Sequence, residues 1–350
     1  MRFHTGRLQR FLILLISGLC LMAAGARADL VWNPTTGWSV EGGALSGLAG
    51  AEGRNALDVM NKARAEEETG SVRSPIRKYN SIAKKYPNSI YAPEALYRAA
   101  HLYLKQHNYN KAFDSFQQIL SRYPNTRRFN EIVGEQYRIA SALLDGARGR
   151  MFWGLLPGFQ QREKSIGYFE TIVANAPYSD YAPLALMNVA RGYTYLKETE
   201  AAIDALDRMI NSYPQSILAP DAYLKLAQTH AKLVDGPYYD QASTKESITY
   251  FTDYMLLFPN DPHVATAEKG LDSMKTMMAE SKVKIGDFYF YKRNNYKAAR
   301  VFYNEAITAY PESAVANRAK AKLAEVDARA ARYEKENAPG SPKKKRFWLF

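Results

Sequence analysis

Five histidines and one cysteine are the residues from which catalysis or metal binding would most readily be built. They stand at His4, His101, His107, His230, His263 and Cys20. No two histidines share the His-Glu-x-x-His spacing that sets two imidazoles and a general base on one helix face, and neither Gly-x-Ser-x-Gly nor a Gly-rich phosphate loop closing on Lys-Ser/Thr occurs. The Gly/Ala-rich stretch from Gly42 to Gly53 lacks the following lysine and reads as a flexible linker. Glu66-Glu67-Glu68 reads as a solvated helix face. These patterns imply a protein that is not an enzyme and that uses no metal and no cofactor.

The chemistry left is recognition, and four groups of residues offer it. Tyr97, His101 and Lys105, then Met187 and Arg191, then Leu224 and Gln228 recur at helical intervals of four. They are candidates for a peptide groove, with plain surface as the alternative. Met151, Phe152, Trp153, Leu155, Leu156 and Phe159 crowd large apolar side chains into a stretch that Gly154, Pro157 and Gly158 keep from being helical. Such a loop is either a partner contact or a plug folded back into the core. Lys343, Lys344, Lys345 and Arg346 precede Phe347, Trp348 and Phe350, a union of cations and aromatics that suits a membrane interface or a docking peptide, or else a disordered end. Trp32 and Trp38 flank the Asn33-Pro34 and Gly37 turn signals and read as packing on the first repeats or a partner rather than as a sugar site.

What positions these groups is a repeat. An aromatic-proline step recurs at Tyr86-Pro87, Tyr123-Pro124, Tyr213-Pro214, Phe258-Pro259 and Tyr310-Pro311, with Ala176-Pro177 as a variant; the prolines are spaced 37, 53, 37, 45 and 52 residues apart. A period in the thirties with helical patterning is that of a helix-turn-helix array. YAPEALYRAAHLYLKQHNYNKAFDSFQQILSRYP from Tyr91 overlays YAPLALMNVARGYTYLKETEAAIDALDRMINSYP from Tyr181 without a gap. Leu96, Ala100, Tyr103, Ala112, Phe116 and Pro124 thereby match Leu186, Ala190, Tyr193, Ala202, Leu206 and Pro214. This large-small-Tyr-small-large-Pro order is tetratricopeptide-type. The small residues let two helices approach, the large ones fill the gaps, and proline ends the second helix.

The pattern predicts an all-α, tetratricopeptide-type α-solenoid of about five to six helical hairpins over residues 54–336. It places a first, cap-like unit at about 54–87, inserted loops at roughly 146–162 and 235–242, a lengthened helix from about His263 to Arg293, and a closing helix over 313–336. No strand alternation is long enough to predict a sheet.

The ends add a compartment. Arg2, Arg7 and Arg10 precede the apolar run Phe11–Ala24 and the small-x-small site Ala26-Arg27-Ala28, so residues 1–28 read as a signal peptide and Asp29 as the mature start. Leu19 before Cys20 is a poor lipidation context, and cleavage after Ala28 would remove the only thiol. Residues 29–53 then form an extended Trp/Gly-rich segment and 337–350 a basic-aromatic tail. Of the net +12, four charges are arginines of the first 28 residues and four lie in Lys343–Arg346, leaving about +4 on the body. That is too little for the basic stripe of a nucleic-acid binder.

The stretch ATAEKGLDSMKTMMAESKVKIGDFYFYKRNNYKAARVFYNEAITAYPESAVANRAKAKLAEV from Ala265, the Tyr-Pro-Asn-Ser-x-Tyr-Ala-Pro opening at Tyr86 and the signal together resemble the BamD family of outer-membrane β-barrel assembly factors, over about residues 54–330. The resemblance implies a periplasmic scaffold, peripheral to the inner face of the outer membrane, that docks a BamA-type assembly protein and receives unfolded β-barrel precursors. The family is normally lipidated at a mature N-terminal cysteine, which this signal does not supply. The rival reading is an envelope coordinator tied to peptidoglycan synthesis or cell division on the same repeats.

Overall fold

The computed structural model of the chain describes residues 29–41, 51–151, 156–237 and 241–336. They fold as an all-α, tetratricopeptide-type array of thirteen α-helices with two small β-hairpins among them. In order, these are β1 (Asp29–Asn33), β2 (Gly37–Glu41), α1 (Ala51–Glu68), α2 (Arg73–Lys85), α3 (Tyr91–Lys105), α4 (Tyr109–Arg122), α5 (Phe129–Leu144), β3 (Arg148–Met151), β4 (Leu156–Gln160), α6 (Arg162–Asn175), α7 (Tyr181–Leu196), α8 (Thr199–Ser212), α9 (Ala219–Lys232), α10 (Gln241–Leu257), α11 (Val264–Asp287), α12 (Tyr296–Ala309) and α13 (Ala314–Glu336). The chain divides into two compact units, residues 1–168 and 169–350.

In the first unit each of α2 to α5 packs on its predecessor. The close approach rests on alanine: Ala95, Ala99 and Ala100 of α3 and Ala112 of α4 are wholly buried. Phe116 and Ile119 fill the space those alanines leave, both at 0% exposure, each contributing about 1.5–3 kcal/mol by burial. The aromatic-proline steps stop the helices as the sequence requires. Tyr86, Tyr123 and Tyr213 are the C-caps of α2, α4 and α8, and each proline follows one residue later. Asn108-Tyr109 and Asn295-Tyr296 open two helices alike, because Asn108 and Asn295 are N-caps whose side chains accept from the backbone N–H of Lys111 and Ala298.

The second unit repeats the arrangement. Ala185 and Ala205 are fully buried, and Leu186 and Leu206 are nearly so. Near its end, Ala279, Val283, Phe290, Ala299, Tyr303 and Ala319 form one core cluster. The lengthened helix is present but ends differently from expectation. α11 stops at Asp287, and Phe288–Lys292 continues as a π-helical turn. A π-bulge widens the backbone by one residue per turn, which here accommodates four successive aromatic rings. The close pass of α11 on α12 is set by Gly286, where an added Cβ would lie 2.7 Å from Cε1 of the buried Tyr303.

The two β-hairpins depart from the expectation of no sheet and of a plain loop over 146–162. β1 pairs antiparallel with β2 in the register Leu30↔Val40 and Trp32↔Trp38, and β3 pairs with β4 with an irregularity between Arg148 and Arg150. Each strand has only four or five residues, too few for alternation to stand out from background. The first hairpin turns over Pro34, Thr35 and Thr36 and closes on Gly37 at φ +78°, a left-handed position that glycine takes at no steric cost. Trp38 is buried at 4% exposure in the first unit's core, with Leu30, Trp32 and Val40 packed against it.

Two glycine substitutions separate packing from propensity. Gly286→Ala should destabilise by about 1–3 kcal/mol through overpacking against Tyr303. Gly167→Ala, on an exposed part of α6 with nothing within 4 Å of the new Cβ, should stabilise by about 0.5–1 kcal/mol. Chemical denaturation of the two variants checks both signs.

Candidate functional site

A concave site of the first unit forms where α3, the end of α4 and the start of α5 meet the β1–β2 hairpin. It encloses about 1040 Å³ and is lined by Leu30, Ile90, Pro93, Glu94, Tyr97, Arg122, Asn125, Arg127 and Arg128, among others. The helices place these groups by periodicity. Glu94, Tyr97 and Arg98 lie within one turn of α3, and the residues after Tyr123-Pro124 carry Arg127 and Arg128 back across its mouth.

The wall is a charge and ring network. Glu94, only 8% exposed, accepts from Nε of Arg98 at 2.9 Å and lies 3.2 Å from Nη2 of Arg128. The Arg128 guanidinium sits 4.3 Å from the centre of the Tyr97 ring, and the Tyr97 hydroxyl donates to Glu131. Burial, reinforced by that bond, pushes the Tyr97 phenol up to about 12, so it remains a hydrogen-bond donor at neutral pH. His101 lies one turn further along α3, edge-on to Tyr97 at 4.5 Å and to Phe116 at 5.6 Å. Burial holds its pKa below the ordinary histidine value; Glu135 and Glu131 oppose that shift, while Arg98 and Arg138 assist it. Arg122 has neither an ion pair nor a hydrogen bond among the described residues. The chemistry open to such a lining is pairing of guanidinium groups with carboxylates and stacking on flat apolar groups.

The second unit carries the repeat-equivalent cleft ninety residues later, enclosing about 880 Å³. Leu184, Ser212, Ile217 and Leu218 stand there in place of Glu94, Arg122, Arg127 and Arg128. Tyr178 and Ile217 at its rim are 100% and 93% exposed, so this cleft is apolar where the first is charged. Both have the same scaffold. Tyr123 donates to the carbonyl of Pro87 at 2.6 Å, and Tyr213 donates to that of Pro177 at 2.8 Å.

Of the seven groove candidates, the structure brings Tyr97 and His101 together, with Lys105 exposed one turn beyond. Met187 is half-buried on α7; Arg191 is exposed there, donating to Tyr195 and Asn188. Leu224 lies in the core with Phe251, Tyr254 and Leu271 at 7% exposure, which leaves it no groove-facing surface, and Gln228 is half-buried on α9. Of the apolar loop, Phe159 is 79% exposed. Met151 and Leu156 are paired at the backbone. Phe152, Trp153 and Leu155 lie outside the described residues, as do the signal and the tail Lys343, Lys344, Lys345, Arg346, Phe347, Trp348 and Phe350.

Sequence reasoning missed Glu94, Arg122, Arg127 and Arg128. The gapless overlay held the signal, since packing positions agree between the two units while these four change character.

Among the described residues no helix is long and apolar enough to cross a membrane, and no group of three or more His, Cys, Asp or Glu could hold a metal ion. Residues 160–319 match the family described as outer membrane lipoprotein, YfiO, and residues 93–126 match the tetratricopeptide repeat. Proteins named outer membrane protein assembly factor BamD are similar: 28% identity in Rickettsia prowazekii over 42% of this chain and 59% of that protein, and 25% in Caulobacter vibrioides over 36% and 41%. A Xylella fastidiosa protein of the same name is 23% identical over 45% and 57%. The chain therefore matches less than two thirds of the length of these relatives. A tetratricopeptide repeat protein from Parabacteroides merdae aligns over 79% of this chain and 100% of its own at 14% identity, with a TM-score of 0.31, too low to argue from. The chain is thus BamD-like, over a narrower span than the 54–330 read from the sequence. The N-terminal repeats match the general tetratricopeptide pattern.

His101, packed against the cleft residue Tyr97, gives the first unit a pH signature. A histidine whose folded pKa is depressed costs no stability above its unfolded value near 6.5, and lowers stability as pH falls from there through the folded value. The melting temperature should therefore fall between about pH 7 and pH 5, and less steeply in His101→Phe. Equal slopes would show that the ring is not held neutral.

Proposed function

We propose that this protein is an exported, non-enzymatic scaffold for the assembly of outer-membrane β-barrel proteins. The observation that carries this reading is the match of residues 160–319 to a family whose similar members are named outer membrane protein assembly factors. In this reading the protein lies in the periplasm, peripheral to the inner face of the outer membrane. The repeats over 160–319 dock a BamA-type partner. The charged cleft of the first unit, with Tyr97 on its α3 wall and His101 packed behind that ring, receives unfolded barrel precursors.

Physical chemistry supports the division of labour. A client that must be released is suited by a polar, salt-sensitive cleft, whereas a standing partner is suited by exposed apolar anchors. The second unit supplies such anchors in Tyr178 and Ile217. Phe159, exposed near the end of β4, adds a further contact, and the basic-aromatic tail provides a weak tether to an anionic membrane surface.

Depletion should lower the folded, heat-modifiable fraction of outer-membrane barrels before cell shape changes. Normal barrel levels with a septation defect would instead favour the envelope coordinator tied to peptidoglycan synthesis. Phe159→Asp should leave the melting temperature within about 1 °C, because an exposed side chain contributes little to stability, while reducing co-purification of the BamA-type partner. A large loss of stability would return Phe159 to a packing role.

A further inference from the structure

The β1–β2 hairpin has one edge tied to α1 at Trp38 and one open edge. The backbone N–H of Trp38 donates to Oδ1 of Asn61 on α1 at 2.9 Å, so β2 spends its outward donor on the helix. Trp38 faces Trp32 in the register, and that outward bond makes the pair a non-hydrogen-bonded one. The peptide groups of Trp32, and of Leu30 two residues back, therefore point away from β2. Among the described residues they meet no other backbone or side-chain partner.

The open edge is also rigid and well placed. The side chains of Leu30 and Trp32 are packed against the first unit's core, and the Arg64 guanidinium lies 5.1 Å from the Trp32 ring centre. Leu30 at the same time lines the charged cleft. Three arginines and one glutamate line that cleft; Arg128 is matched by Glu94, while Arg122 has no acidic partner.

We propose that β1 and the charged cleft form one docking site for an extended acidic segment of another protein. The segment adds as a third strand on the edge of β1 and sets its carboxylates against Arg122 and Arg127. Main-chain hydrogen bonds to Leu30 and Trp32 supply affinity without regard to sequence, and the arginines select for acidic side chains. Because β1 is already held straight by its packing, the segment pays its own ordering cost and little of the protein's. The inference deepens the assembly reading, on which it rests for the identity of the natural ligand: the sequences of a barrel precursor destined to be strands would be captured here as a strand.

The test is fluorescence anisotropy on the full exported chain. The probe is a labelled peptide of alternating threonine and valine ending in aspartate and glutamate. It should bind, and binding should weaken as salt is raised. Arg122→Glu and Arg127→Glu should each weaken it about tenfold or more, with the circular dichroism unchanged. N-methylating alternate residues blocks one edge of the peptide at a time; one of the two sets should abolish binding and the other should leave it intact. Equal binding of both methylated sets, no effect of charge reversal, or no binding of the unmodified peptide would each overturn the proposal. If the probe behaves as expected while depletion leaves barrel levels normal, the site stands and the assembly reading falls. If barrels are lost on depletion but the probe fails, the site alone falls.

Discussion

Everything in the two units depends on alanine at the helix crossings. With wholly buried methyl groups at Ala95, Ala99, Ala100 and Ala112, and again at Ala185 and Ala205, neighbouring helices come close enough for one ring or branched chain to fill each interstice. A larger residue at any of these points would force the helices apart and strain the rotamers around it. The spacing in turn fixes where the aromatic-proline steps fall. It lets Tyr123 and Tyr213 reach back to the carbonyls of Pro87 and Pro177. The clefts lie beside those ties.

One scaffold thus presents two chemistries. The positions that hold the hairpins together agree between the units, and the positions facing the clefts do not. Glu94, Arg122, Arg127 and Arg128 give the first cleft a network of ion pairs with one arginine left over. Leu184, Ile217 and Leu218, with the uncharged Ser212, make the second largely apolar. A repeat array tolerates this freely, because each unit needs only its neighbours' packing surfaces and imposes nothing on the residues at the turns. The division proposed above between a client site and a partner site makes use of that freedom.

The helices were legible because their signals are long and redundant. Tyr91 to Pro124 and Tyr181 to Pro214 carry the same six packing positions, and the proline steps and the alanine stripe point to the same boundaries. The hairpins were not legible. Four or five residues of strand cannot announce a period of two, and in β3–β4 the register is irregular. The π turn after α11 was hidden too, since Phe288 to Lys292 continues the helical spacing and only packing decides that the backbone widens there. Of the groove candidates picked by helical spacing, Tyr97 lines the first cleft and His101 packs behind it. Leu224 did not, because a position one turn from a packing residue can itself face the next helix. Arg122 is the last residue of α4, and Arg127 and Arg128 lie in the following turn, where periodicity says nothing; only comparison of the two repeats distinguishes them.

The central claim is that the charged cleft of the first unit receives barrel precursors. Site-specific photo-crosslinking in growing cells tests it most directly, with a photoreactive amino acid at Asn125 in that cleft and, for comparison, at its counterpart Gln215 in the apolar one. The account predicts adducts of Asn125 with newly exported outer-membrane barrel proteins, and adducts of Gln215 with a standing assembly partner. Adducts of Asn125 with peptidoglycan synthases and none with barrel proteins would contradict it.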